Sequence, residues 1–369
     1  MTSAASPSPM DTGPVGTGVA ADQAGPGPGV GRGVAACAVL AVALAVAGLA
    51  SVGSGQVPVP LDTVASVLVY RLTGWGEVNW DATAEDIVFN LRLPRVLLAM
   101  IVGAALAVAG TLVQAIARNP LADPYLLGVS QGASVGAVAV IVLGSAAFGV
   151  TSTSLAAVLG AAVAFAVVAA LGRAAGPDSV TRLLLAGVAV GYALQAVVNF
   201  LLLLADNPAK TSSALFWLAG SVGAARWPML ALPAAVTLVI AVVAVLAGQR
   251  LDALLLGDET ATSLGVRPQV ARGVFATLAA VLTGTVVAVS GAIGFVGLVV
   301  PHAVRLALGA AHRRLLPAAA LAGALFLVVA DLLARTVLAP RELPIGVVTG
   351  VVGAPVLAAL LVRRRGRAG

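Results

Sequence analysis

Ten apolar runs, each near the length a helix needs to cross a bilayer, decide most of what this chain can be. They cover 33–51, 94–116, 124–143, 154–172, 181–204, 229–247, 270–290, 294–309, 315–338 and 344–362. About 20 apolar residues in a helix span the hydrocarbon core. The expected fold is therefore an all-α polytopic membrane protein with about ten transmembrane helices. Of the 369 residues 60% are hydrophobic and only 10% charged, against about a quarter charged in soluble domains. The run at 294–309 is the shortest and carries Pro301 and His302, so its ends are the least defined by pattern.

Charge placement gives the topology. The net charge is +6, but the arginines lie between apolar runs and at the C-terminus, with no basic face of the kind nucleic acid requires. With a cytoplasmic N-terminus, Arg71, Arg92, Arg95, Lys210, Arg226 and Arg341 fall outside, and Arg305 and Arg335 fall within runs. The remaining thirteen of the 21 cations fall inside. That is the positive-inside bias, and an even number of spans returns the C-terminus to the cytoplasm. Residues 1–31 are Gly, Pro, Ala, Ser and Thr with few large apolar groups, a composition that predicts a disordered cytoplasmic tail. Residues 32–363 form the membrane domain and 364–369 a basic cytoplasmic tail.

Two patterns concern organisation. The first outer loop, 52–93, is long and acidic, and Leu61 to Leu72 is patterned for a helix lying on the interface. A faint repeat aligns Gly103–Gly110 with Gly284–Gly291, Pro120 with Pro301 and Gly128 with Gly309 at one offset. Its copies begin five spans apart, which predicts an inverted repeat of the kind transporters use.

Several chemistries are absent. A phosphate-cradling loop ends in Gly-Lys-Ser/Thr, yet the only lysine, Lys210, follows Ala209. The chain is expected to be no enzyme; if ATP drives it, a separate subunit hydrolyses the nucleotide. Cys37 is the only cysteine, and His302 and His312 stand without Cys, Asp or Glu at metal-ligand spacing, so neither a metal nor a cofactor is expected. Asp331 and Arg335 are charges deep in a run, four residues apart and able to pair. A proton relay in an ion-coupled secondary transporter is the rival reading of such a pair. A sensor or scaffold without transport is the third possibility.

Uncharged polar residues inside the runs suit either interhelical bonding or a solute path. Ser130 and Gln131 lie in a glycine-bounded segment, and Gln195 and Asn199 are one turn apart. The loop at 250–268 reads as two short helices: Gly257 breaks the first, Asp258 and Glu259 open the second, and Gly265 ends it.

The segments Leu91–Arg95, Arg118–Pro124, Leu127–Ala133, Arg182–Gly187, Leu256–Glu259 with Leu264–Val266, Gly294–His302, and Glu342–Gly350 with Gly353–Pro355 occur in that order. Together they resemble the permease subunits of type II ABC importers, which serve iron-siderophore, haem and cobalamin uptake. The resemblance covers about residues 51 to 362. It implies a ten-helix permease fold in the bacterial plasma membrane, paired with a second permease copy or paralogue around a substrate path. It also implies two cytoplasmic ABC ATPase subunits that hold ATP and Mg, and an extracytoplasmic substrate-binding protein. Arg92, Arg95 and Arg335 would receive that protein's carboxylates. Leu256, Gly257, Asp258, Glu259, Ala261, Leu264 and Gly265 would couple to the ATPases, and Ser130, Gln131, Gln195 and Asn199 would line the path. An iron chelate is the expected cargo, with cobalamin the alternative.

Overall fold

A computed structural model describes residues 30–55, 57–144, 149–174 and 180–365. Among these residues the chain is helical throughout, in the order α1 (Val30–Gly53), α2 (Leu61–Thr73), α3 (Ala82–Glu85), α4 (Leu93–Ala117), α5 (Val129–Leu143), α6 (Gly149–Ala174), α7 (Val180–Leu203), α8 (Pro208–Leu218), α9 (Ala231–Leu246), α10 (Gly248–Leu255), α11 (Asp258–Ser263), α12 (Pro268–Ser290), α13 (Val296–Leu308), α14 (His312–Thr336) and α15 (Ile345–Arg365). Seven helices are long and apolar enough to cross a membrane, and α5, α13 and α15 contribute three shorter apolar ones. These ten elements coincide with the ten apolar runs. The first begins at Val30, two residues inside the stretch assigned to the N-terminal tail. Residues 1–29 of that tail and 366–369 of the C-terminal one lie outside the described residues.

The bundle is organised around α4, the most buried of the long spans. It packs against α1, α9, α12, α13 and α14, while α5, α6 and α7 form a second group joined to it through α12. Lipid supplies no hydrophobic drive between helices, so close backbone approach at small residues replaces it. A Cβ on Gly110 would lie 1.8 Å from the carbonyl oxygen of Gly297, and one on Gly103 2.2 Å from that of Gly323. In the second group a Cβ on Gly136 would lie 2.0 Å from the carbonyl oxygen of Ala156. Each contact is backbone against backbone, which no rotamer change can relieve.

Two of the runs are interrupted. The run at 124–143 divides into a 3-10 turn, Pro124–Leu127, and α5, because Gly128 takes a left-handed conformation at φ 75°. The run at 294–309 starts its helix only at Val296, after Gly291 at φ 67° and Phe295 at φ 69°. At 15 and 13 residues, α5 and α13 are about 20 Å long, short of the roughly 30 Å core. Irregular backbone supplies the remainder. Such backbone survives in a membrane only when protein satisfies it, and here it is satisfied. The Tyr125 hydroxyl donates to the Ile293 carbonyl and accepts from its N–H, both at 2.8 Å. Ser221 N–H donates to Ser290 (2.7 Å), and Ile345 and Gly346 N–H donate to Gly220 (2.9 Å) and Ala219 (3.1 Å).

The expected interfacial helix is present as α2, closed by Gly74 in the left-handed region. The two copies of the faint repeat fall in α4 and at the end of α12, the second and seventh of the ten apolar elements, while Pro120 lies in a loop and Pro301 inside α13.

The glycine contacts give a direct test. Gly110→Val should destabilise the chain by about 1–3 kcal/mol or more, the usual effect of forcing atoms into a packed interior. Gly273→Ala, where an added Cβ meets nothing within 4 Å, should be neutral or stabilising. Thermal unfolding in detergent measures both.

Candidate functional site

At the end of the bundle that carries α2, helices α4 and α14 each direct arginines into one cluster. Arg95 and Asp331 form its centre: Arg95 Nε donates to both carboxylate oxygens, at 3.0 and 3.2 Å, and Arg95 Nη2 lies 3.0 Å from Oδ1. Arg95 Nη1 reaches Glu342, in the loop before α15, at 3.0 Å. From one helical turn beyond Asp331, Arg335 Nε lies 3.2 Å from the same carboxylate, paired by charge without an aligned hydrogen bond.

The remaining donors cap a helix. The last carbonyls of a helix have no partner within it and carry its negative dipole end, which cations complement. Arg92 Nη1 donates to the carbonyls of Val52 (2.9 Å) and Gly53 (3.1 Å), and Nη2 to that of Val57. Arg335 Nη2 donates to Ser51 O (2.9 Å) and Oγ (2.6 Å), and Nη1 to Ser54 O (3.1 Å). Arg92, at the end of the π-helical turn Asp86–Arg92 that leads into α4, and Arg335 of α14 thus hold the end of α1, a helix otherwise little buried.

Arg92, Arg95 and Arg335, read from the sequence as docking residues for a binding protein, are all buried, at 8%, 8% and 5% exposure. Desolvated cations need counter-charges and carbonyls, and the fold provides them. With Arg226 and Glu342 they still line a cavity of about 300 Å³ open at this end. Four guanidiniums, against Glu342 in the lining and Asp331 behind Arg95 and Arg335, leave it cationic.

The four polar path candidates do not meet in one chain. Ser130 is buried in the first turn of α5. Gln131 packs beside Gly191 of α7 and keeps a buried, unpartnered Oε1. Gln195 and Asn199 lie on the exposed side of α7 and bond each other at 3.1 Å.

At the opposite end, the 250–268 loop is the predicted pair of short helices, α10 and α11, separated by Gly257 at φ 108°. Asp258 is gripped by Arg118, in the left-handed residue that ends α4, and by Arg272 of α12, whose Nη1 donates at 2.9 Å. Arg118 Nε also donates to Leu254 O at 2.7 Å. The hydrogen bond from Arg272, then that from Arg118, holds the Asp258 carboxyl below the usual carboxylate range. Such a clamp is intact above about pH 4 and is lost only as pH falls through the lowered value. Ala261 is buried beneath the loop, whereas Leu256 and Leu264 are 64% and 61% exposed. Glu259 and Gly265 are exposed beside them.

The sequence reading did not contain several of these partners. Arg118, Arg272, Ser51 and Glu342 lie 14 to 284 positions from the groups they bind. His312, read only against a metal site, packs its Nδ1 2.6 Å from Asp252, which also accepts the His312 N–H at 3.0 Å. This contact fixes α10 to the start of α14. Among the described residues no cluster of His, Cys, Asp and Glu suits a metal.

Asp331→Asn would leave Arg95 and Arg335 buried without their shared counter-charge. It should destabilise the chain by about 3–5 kcal/mol, as loss of one member of a buried pair does. Arg71→Ala, which breaks the exposed pair with Glu85, should change stability by about 0–1 kcal/mol. Thermal unfolding of the two variants in detergent gives the comparison.

Known proteins resemble this chain. The hemin transport system permease protein HmuU of Yersinia pestis is 42% identical over 293 residues, 78% of this chain and 87% of that protein. The cobalamin import system permease protein BtuC of Halobacterium salinarum is 40% identical over 317 residues, 86% of this chain and 83% of that one. A solved metal-chelate type ABC transporter in an inward-facing conformation superposes with a TM-score of 0.78 at 30% identity, covering 89% of this chain and 98% of the other. With residues 43–363 matching the FecCD transport family, and with ten apolar helices around α4, this chain belongs to that family and is a multi-pass ABC importer permease.

Proposed function

We propose that this permease carries an iron chelate, a siderophore or haem, inward across the bacterial cytoplasmic membrane. The observation that carries the reading is the α10–α11 loop. Leu256 and Leu264 are apolar and exposed, and the segment between them is held by Asp258 against α4 and α12. An apolar surface on a braced loop suits a partner that pushes, and a cytoplasmic ATPase is that partner. The N- and C-termini then lie in the cytoplasm with this loop. The cargo is supported by the hemin permease HmuU and by the metal-chelate transporter. Cobalamin is the second reading, favoured by the relative named for cobalamin import.

Two further parts belong to the proposal. Gln195 and Asn199 face away from their own chain on α7, and polar groups left in hydrocarbon cost several kcal/mol. A second permease copy covers that face, and the path runs between the two. On the outer side a substrate-binding protein brings carboxylates to the cavity lined by Arg92, Arg95 and Arg335.

The chain in liposomes should take up no chelate when ATP is present until the cognate ATPase is added. Hydrolysis of ATP by the chain alone would remove the reading. A Leu256→Ser, Leu264→Ser double variant should keep its unfolding temperature and bind the ATPase at least about tenfold more weakly, a change of ~1.4 kcal/mol. Uptake compared among ferric siderophore, haem and cobalamin separates the two cargo readings.

A further inference from the structure

A cleft of about 940 Å³ lies between α4, α6, α7 and α12 at the α11 end of the bundle, and none of the functions above uses it. Its walls are apolar side chains such as Phe165, Val270 and Val274. Val270, Val274 and Val281 make an exposed stripe along α12, and Phe165, Ala166 and Ala169 face the cleft from α6. Two cations mark the end of the cleft where these helices leave the membrane. Arg173, at the end of α6, is exposed and has no ion pair or hydrogen bond among the described residues. Arg272 gives Nη1 and Nη2 to Asp258, while its Nε has no partner.

We infer that this cleft binds an anionic phospholipid. A water-soluble anion would have no use for long apolar walls, and a neutral lipid none for two guanidiniums. A basic pocket between spanning helices at the membrane surface matches a phosphate headgroup in charge and acyl chains in polarity. The phosphate meets Arg173 and the Arg272 side, and the chains lie along the α12 stripe and against Phe165, Ala166 and Ala169 of α6. Arg272 also grips Asp258, so the lipid sits one residue from the braced loop.

The full chain in nanodiscs of equal phosphatidylglycerol and phosphatidylcholine, extracted into detergent and weighed by native mass spectrometry, provides the test. Phosphatidylglycerol should be retained over phosphatidylcholine by about fivefold for each cation that meets the headgroup. Arg173→Glu should abolish the preference and Arg173→Lys should keep it. Equal retention of the two lipids, or an unchanged preference in Arg173→Glu, would overturn the proposal. Loss of the preference in excess inorganic phosphate would also overturn it, since a free anion would then be the ligand. The position of the chains is read independently in Phe165→Trp, whose fluorescence should fall more with brominated phosphatidylglycerol than with brominated phosphatidylcholine. Equal quenching, or none because a second copy fills the cleft, counts against the lipid.

Discussion

Every backbone N–H and carbonyl inside hydrocarbon needs a partner from the protein itself, and the architecture follows from that requirement. Continuous helices meet it without help. The interrupted stretches around Pro124–Gly128, Ala219–Ser221 and Gly291–Phe295 cannot, so they are placed against one another. Tyr125 closes both polar groups of Ile293, and Ser290, Gly220 and Ala219 accept from neighbouring loops. The breaks are thus gathered inside the bundle. A break facing lipid would leave several groups unpaired, each at a penalty of several kcal/mol.

The same accounting explains the arginines at the α2 end. A helix that stops inside a membrane protein leaves carbonyls to be capped, and beyond α1 Ser54 N–H donates to Ala50 and Val59 N–H to Gly53, which leaves Ser51 and Val52 to side-chain donors. Arg92 and Arg335 supply the donors, while Asp331 and Glu342 offset the charge brought in with them. Stability and any role in recognition are therefore built from one set of side chains. Under the proposed docking, a partner carboxylate would meet guanidiniums already held in position, and positioned donors lose little freedom on binding.

The α11 end is built differently. Its clamp of Asp258 by Arg118 and Arg272 is exposed, and exposed ion pairs contribute little to stability. What the clamp does is fix direction: α4 and α12 both reach the loop through one carboxylate. Asp252 adds α14 through His312. The loop is thereby tied to three helices at once, and α14 runs from this contact to Asp331 and Arg335 in the other cluster.

The sequence by itself determined the class, the number of spans, the break at Gly257 and the family, because apolar run length and local glycine and proline signals act within a few residues of one another. It also marked Asp331 and Arg335, since a helical turn brings them together. It did not reveal that Arg95 and Arg335 share Asp331, that Arg92 caps α1, or that Arg118 and Arg272 grip Asp258. Apart from Arg335 with Asp331, those contacts join residues from 14 to 236 positions apart, and an arginine near a span end reads alike whether it faces headgroups, a partner or a neighbouring helix. Which it does depends on whether unpaired carbonyls and carboxylates lie within its reach, and only helix packing decides that.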